Sequence, residues 1–353
     1  MKTTVIPLDS KYPDLDKIAH CARVIRQGGI VVFPTETVYG VGADFTNPKA
    51  IGRLRQIKKR PEGKPFSMLV STKMVIDEIS SQLEGYVYKI IDEFWPGPLT
   101  IIVPLKESTE TIGLRMPNNM IALSLIREAR CPIAAPSANA HNSEPPTTCQ
   151  EALRDLDGLV DIAIDGGTSS VGKESSVVDL TQSPPKVLRE GPITQSDIEK
   201  IMQQKIVLFV CTGNSCRSVI AEYLLKKALE ARKNVKVISA GTGVFVSLGA
   251  SQETVDALKK EGIDASRHLA QPVTKIMLKK SDLILVMTKS HRQYIVEHAP
   301  AVANRVYLLR EFANPASSTG ELDIPDPIGK SPQIYEECLG IIKEAIGKVA
   351  ELI

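Results

Sequence analysis

The stretch CTGNSCRS, from Cys211 to Ser218, places two thiols five positions apart, directly after an apolar run and before a helical pattern. Metal ligation, dithiol redox chemistry and a nucleophile set in an anion cradle all begin with such a pair. No histidine or further cysteine joins it at zinc-binding spacing, so no metal site is expected. The third chemistry has the other parts it needs. A strand, a tight loop of small residues and a helix start gather loop N–H groups on one anion. Arg217 adds a two-pronged cationic donor for phosphate oxygens. That field favours a thiolate over a thiol and makes Cys211 the candidate nucleophile. In-line displacement also needs an acid for the leaving group. Asp323 and Asp326, in the proline-punctuated segment DIPDPIGK, supply one if the topology brings them to the cradle. Cys216 reads as a loop neighbour: small packing, or a partner that protects Cys211 under oxidation.

A second set of polar residues lies in the first half. PTETVYGVG (34–42) carries Thr35, Thr37 and Tyr39, expected along one strand face. KKRP (58–61) offers Lys58 and Arg60 on one side if extended. APSAN (135–139) gives Ser137 and Asn139 in the same alternation. GKESSVVD (172–179) adds Ser175 and Ser176, and LREGP (188–192) adds Arg189. Taken singly, such residues make caps, turns or solvated helix faces. Taken together they suggest a polar, cationic cavity for a polyanion.

The elements that must position these residues fall into two styles. In the first half, strands are expected at 28–35, 99–105, 131–139 and 175–180, with helices at 14–27, 48–58, 84–94 and 147–156. A short polar helix within 191–204 reads as a linker. From Lys205 strands and helices alternate cleanly: strands at 205–210, 235–239, 282–287 and 305–309, helices at 217–231 and 251–262, and a long final helix from about 331. That alternation implies a parallel sheet with right-handed crossovers, whose loops at the strands' carboxyl ends converge on one crevice. The first of those loops holds Cys211, and the DIPDPIGK segment follows the last strand, so the two can meet.

The motifs of the second half resemble the low-molecular-weight protein tyrosine phosphatases over about 205–353: CTGNSCRS, SAGT (239–242), the DLILVMT strand and the Asp-Pro of DPIG. The resemblance implies a doubly wound four-stranded parallel sheet (phosphotyrosine protein phosphatase I-like), with Cys211 as nucleophile forming a cysteinyl phosphate. Arg217 would grip the phosphoryl group and Asp326 would act as acid and then base, without a cofactor. Asn214, Ser218 and Ser239 would hold the loop and the thiolate. Tyrosine-specific members tend to carry aromatic residues after the Asp-Pro. Here Ile328-Gly329 follow, which removes one stacking wall, and Phe245 offers another. Ser215 stands where arginine phosphatases carry Thr, so phosphotyrosine and phosphoarginine both remain candidate protein substrates.

The first half resembles the YrdC-like threonylcarbamoyl-AMP synthases over about 10–200, its six short motifs standing in family order. The resemblance implies an α/β domain with a twisted mixed sheet and helices. It also implies condensation of L-threonine, bicarbonate and ATP, with Mg²⁺, to threonylcarbamoyl-AMP and pyrophosphate. That product feeds threonylcarbamoyladenosine (t6A) modification of tRNA, which the domain would meet only through a downstream transferase. Lys58, Arg60, Ser137, Asn139, Ser176 and Arg189 would contact ATP, and Thr35 with Ser175 would lie near threonine. His141-Asn142 replace the family's usual Ser-Gly. A rival reading makes this half a double-stranded RNA-binding module, through the basic run from Arg53 to Lys64, and leaves only the phosphatase catalytic.

Composition bounds these readings. The 353 residues are 43% hydrophobic and 24% charged, which suits two soluble globular domains, expected at 1–200 and 205–353. Net charge is −2 over 1–204 and +4 over 205–353, which argues against a dedicated nucleic-acid binder. Six cysteines, scattered apart from one pair, suit free thiols in a reducing compartment. The N-terminal residues lack an apolar signal core and no apolar run reaches spanning length, so a cytoplasmic protein without membrane contact is expected.

Overall fold

The computed structural model describes residues 2–61, 63–80, 83–140, 143–314 and 322–353. The chain divides into two compact units, 1–202 and 203–353. Both are α/β. No helix among the described residues is long and apolar enough to cross a membrane.

Unit 1 is built on a mixed sheet. Its strands are β1 (Thr4–Pro7), β2 (Val31–Phe33), β3 (Gly40–Asp44), β4 (Met68–Leu69), β5 (Leu99–Pro104), β6 (Thr111–Arg115), β7 (Ile133–Ala134), β8 (Ile162–Asp165), β9 (Ser176–Asp179) and β10 (Lys186–Arg189). Among the described residues their order is β1-β8-β2-β3-β7-β4-β6-β5-β9-β10. β1 and β2 run parallel to β8, whereas β3 is antiparallel to both β2 and β7. Alternate residues of β2 point to opposite faces, as strand geometry requires. Val31 and Phe33 pack with Ile18 and Ile25 of the helix Leu15–Arg26 and with Ile121 and Leu125 of Met120–Ala129. Val32 packs on the other face with Leu54 of Pro48–Ile57 and Leu156 of Cys149–Leu156. Short strands with both faces covered cannot show polar alternation, which is why β4 escapes a pattern-based reading.

Unit 2 carries β11 (Lys205–Cys211), β12 (Val235–Gly241), β13 (Leu283–Val286) and β14 (Val306–Leu308), all parallel in the order β12-β11-β13-β14. This is the expected four-stranded parallel sheet. Val207, Phe209 and Cys211 face the helices Arg217–Ala228 and Pro332–Leu352. Leu208 and Val210 face Lys275–Lys280 and Lys289–His298. β11 is therefore apolar on both sides, as a central parallel strand must be, and its last side chain is the thiol.

Three local expectations need correction. Residues 34–39 are not a strand; Thr35 closes a turn by accepting from the N–H groups of Thr37 and Val38 at 3.2 and 3.3 Å. The strand expected at 131–139 is only Ile133–Ala134, because Pro132 and Pro136 cannot donate to a ladder. KKRP is not extended: Lys58 ends a helix and Lys59, at φ 45°, turns the chain left-handed. In addition, the helix taken as a linker is Gln195–Gln203, and Gln195 ties it to the unit 1 sheet through Val187 N and Pro185 O.

Candidate active sites

In unit 2 the chain leaves β11 at Cys211, crosses Thr212–Cys216 and enters the helix at Arg217. Asn214 sits at φ 49°, which lets the loop curl over the sulfur. Its N–H points to Cys211 Sγ at 3.3 Å, and Ser218 Oγ lies 3.0 Å from the same sulfur. The Asn214 amide donates to Ser218 Oγ at 3.0 Å and to Ser239 Oγ at 2.7 Å, and its Oδ1 accepts from Gln271 N at 2.9 Å. Ser239 in turn donates to Glu222. The chain leaving β12 closes on the loop through Thr242 N to Cys211 O and Gly243 N to Thr212 O, each 2.9 Å. Gly241 allows that approach: a Cβ there would stand 2.4 Å from Thr212 O.

The acid loop reaches the same place. Arg217 donates through Nη1 to Ile324 O at 3.1 Å and through Nη2 to Asp326 Oδ2 at 2.5 Å. The structure thus brings Cys211, Asn214, Arg217, Ser218, Ser239 and Asp326 together. Asp323 is turned away and caps Lys289 N at 2.9 Å. Ser215 is half-buried, 3.6 Å from Cys216 Sγ, and Phe245 is 97% exposed at the rim. Cys216 Sγ turns toward Ser251 Oγ at 3.4 Å and Tyr335 OH at 3.6 Å.

Several supporting residues lay outside the sequence reading. His291 bridges Thr288 Oγ1 at 2.7 Å and Thr212 Oγ1 at 2.9 Å, and burial, with Arg217 opposing further charge, pushes its imidazole down to about 4. His268 reaches Asn214 O at 3.0 Å. Cys338, on the final helix, is buried behind Pro325, and burial pushes its thiol up to about 12. These side chains come from distant segments, and no local spacing marks them.

In unit 1 a cavity of about 480 Å³ is lined by Lys58, Arg60, Ser137, Asn139, Ser175 and Arg189. Lys58 Nζ donates to Ser137 O at 2.7 Å, to Asn139 Oδ1 at 2.9 Å and to Asn139 O. Burial pushes its ammonium down to about 8, with Glu174 opposing. Arg189 pairs with Glu174 at 2.8 Å and donates to Ser175 Oγ at 3.2 Å. Lys64 and Arg115 also face this space, so five cations stand against one carboxylate, Glu174, among the described lining residues. Arg115 was missed; it closes the alternating strand β6 and donates to Glu36 Oε1 and Thr37 Oγ1, both at 2.8 Å. A second cavity of about 760 Å³ shares Asn139, Glu174 and Arg189 with the first, and its other acids are Glu144, Glu151, Asp155 and Glu190.

Two expected contacts do not reach the cavity. Ser176 is fully buried, and its hydroxyl donates to Ile193 O at 2.6 Å while accepting from Gly191 N and Ile193 N at 2.9 and 2.8 Å. Thr35 donates to Val38 O at 2.6 Å within its own turn. Both hold backbone that lies beside the cavity. The replacement at His141-Asn142 lies outside the described residues. The basic run does not present a row of phosphate contacts either. Arg53 pairs with Asp161 at 2.7 Å, Arg55 donates to Pro61 O at 2.5 Å, and Arg60 donates to Pro65 O at 2.7 Å while lying over Phe66.

A thiol, a guanidinium and a carboxylate around an anion cradle mark a phosphatase-type α/β domain, and the cationic cavity in the mixed sheet marks a second enzyme fold. Comparison with known proteins agrees. The model of the Sua5, YciO and YrdC family, described as "Telomere recombination", matches residues 23–191. The model of the low molecular weight phosphotyrosine protein phosphatases matches 206–353. The threonylcarbamoyl-AMP synthase of Pyrococcus abyssi is 30% identical over 298 residues, covering 74% of this chain and 88% of that protein. The Bacillus subtilis threonylcarbamoyl-AMP synthase is 36% identical over 195 residues, covering 53% of this chain and 56% of the relative, so the chain spans little more than half of that protein's length. The crystal structure of P. abyssi Sua5 complexed with L-threonine matches with a TM-score of 0.54 at 26% identity, over 81% of this chain and all of that one. The chain belongs to the threonylcarbamoyl-AMP synthase family and is a fusion of its YrdC-like domain with a low-molecular-weight phosphatase domain.

Proposed function

We propose that residues 1–200 make threonylcarbamoyl-AMP from L-threonine, bicarbonate and ATP, and that residues 205–353 hydrolyse phosphorylated protein through a cysteinyl-phosphate intermediate. For the synthase, the supporting observation is the excess of cations facing the first cavity. ATP phosphates and the threonine carboxylate fit that charge. The adjoining cavity, richer in carboxylates, suits the nucleoside, whose hydroxyls can donate to them. The threonine amine joins bicarbonate to give a carbamate and release water. A carbamate oxygen then attacks the α-phosphorus and pyrophosphate leaves. Lys58, Arg60 and Arg189 bind the phosphates; Ser137, Asn139 and Ser175 set the geometry; Ser176 and Thr35 hold the walls. Among the described residues no group of three His, Cys, Asp or Glu side chains is set to hold Mg²⁺. The ion would enter on the nucleotide's own oxygens and help neutralise their charge.

For the phosphatase, the supporting observation is that Arg217, which opens the helix directly after Cys211's loop, donates to Ile324 O and Asp326 of the acid loop. Cys211 Sγ attacks phosphorus, an S–P bond forms, and the bond to the leaving oxygen or nitrogen breaks as Asp326 gives it a proton. Water then attacks phosphorus, Asp326 takes a proton, and the thiolate is released. Half-buried Ser215 leaves a small polar wall beside the cradle, which suits phosphoarginine, while exposed Phe245 offers a ring face that suits either residue.

Pyrophosphate release that requires both threonine and bicarbonate, and is lost in Lys58→Ala/Arg60→Ala, is the expected result. Release without threonine overturns the synthase reading. Turnover of phosphotyrosine and phosphoarginine peptides by wild type but not by Cys211→Ser tests the phosphatase and ranks its substrates.

A further inference from the structure

A third cavity, in unit 1, belongs to neither catalytic site. Its volume of about 410 Å³ lies toward the small end of the roughly 300–1,000 Å³ usual for small-molecule sites. Its walls are β4 with the segment that follows, the short helix Ile76–Ile79, and the carboxyl end of the helix Met120–Ala129. Leu69, Val70 and Ile126 are buried there, and Val75 and Ile79 are half-buried, so the interior is apolar. The charged residues of the lining are Glu78, Arg127 and Arg130, all exposed. Among the described residues, none of these three side chains makes a hydrogen bond or an ion pair. Other arginines of this unit are tied to carboxylates: Arg53 to Asp161, Arg115 to Glu36 and Arg189 to Glu174. The apolar hollow thus carries two unpaired guanidiniums on one wall and an unpaired carboxylate on another.

We propose that this cavity binds a free α-amino acid with an aliphatic side chain, such as leucine, and that its occupancy is felt in the synthase cavity across β4. The lining selects the class. A carboxylate meets the guanidiniums of Arg127 and Arg130, and an ammonium meets Glu78. The apolar wall takes the side chain and removes it from water. An aliphatic carboxylate would leave Glu78 unanswered, and an aliphatic amine would face two cations; the zwitterion answers both signs. The route to the synthase site is one strand. Leu69 lines this cavity and the cationic one alike, and it pairs in register with Arg115, which also lines the cationic cavity. A side chain seated against Leu69 therefore bears on the strand that walls the synthase site. The coupling rests on the synthase reading; the binding does not.

The test is titration calorimetry on the full chain with leucine, alanine, N-acetylleucine, which lacks the ammonium, and leucinol, which lacks the carboxylate. Wild type should bind leucine about tenfold more tightly than alanine, the scale of one aliphatic side chain largely buried. It should also prefer leucine over N-acetylleucine and over leucinol. Glu78→Gln should erase the first of these two preferences, and Arg127→Gln/Arg130→Gln the second. All three positions are exposed, so the melting temperature should hold. Saturating leucine should shift the Kd for ATP about fivefold or more in wild type, in either direction, and not in the variants. Absence of leucine binding, equal affinity for leucine and alanine, or wild-type selectivity in either variant overturns the site. An unchanged Kd for ATP with leucine bound overturns the coupling. Absence of threonine-dependent pyrophosphate release overturns the synthase reading and the coupling with it, while the selectivity measurements still decide the site.

Discussion

Asn214 offers a sharp test because its backbone and its side chain do separable work. The residue lies at φ 49°, in the left-handed region, and its amide makes bonds to Ser218, Ser239 and Gln271. Each bond contributes on the order of 1 kcal/mol. Asn214→Gly removes all three and keeps a residue at ease in that conformation, so unit 2 should lose about 3 kcal/mol. Asn214→Ala removes the same bonds and adds about 1 kcal/mol of backbone strain. Asn214→Asp keeps an acceptor for Gln271 N but replaces two donated bonds with a negative charge beside the sulfur and inside the cradle. Its effect should therefore fall mainly on turnover. Urea unfolding followed by loss of para-nitrophenyl phosphatase activity measures the first two variants, and kcat/KM measures the third. The expected order of stability is wild type, then Gly, then Ala. Alanine equal to or more stable than glycine refutes the claim that the loop's curl at this residue is strained for a side chain. An Asp variant with wild-type kcat/KM refutes the claim that the Asn214 amide helps hold the sulfur's surroundings.

Three further outcomes follow from the geometry. Burial lowers the Lys58 ammonium to about 8, so its charge is present below that pH and lost above it; KM for ATP should rise as pH passes about 8 in wild type but not in Lys58→Arg, whose charge persists. Ser176→Ala breaks three hydrogen bonds to the 191–193 segment and should cost unit 1 about 2–3 kcal/mol, read from the fluorescence of Trp95, the chain's single tryptophan, during thermal unfolding. Gly241→Ala forces a methyl group against Thr212 O and should cut para-nitrophenyl phosphate kcat by about a hundredfold, while threonine-dependent pyrophosphate release stays at the wild-type rate.

What the sequence made legible follows from where information is local. The cradle runs through eight consecutive residues, and β11 is apolar on both faces, so the strand, the loop and the helix could be read together. Asp326 was reachable because parallel topology sends both loops to one end of the sheet. Arg115 was not, since its partner Glu36 lies 79 positions away and only the folded sheet joins them. His291 was invisible for the same reason: its meaning is the contact with Thr212. Ser176 misled in the opposite direction. A hydroxyl next to a polar motif suggests ligand contact, but its neighbours in space are the backbone groups of Gly191 and Ile193, which claim it completely.

The ion pair between Arg217 and Asp326 bears on turnover as well as on binding. The Arg217 guanidinium is paired with the Asp326 carboxylate. An arriving phosphate therefore exchanges one anion for another instead of meeting a bare cation, which moderates the grip on inorganic phosphate. When the product departs, the carboxylate is close enough to take its place. On the phosphatase reading, the side chain assigned to proton transfer would also be the group that returns to Arg217 between turnovers.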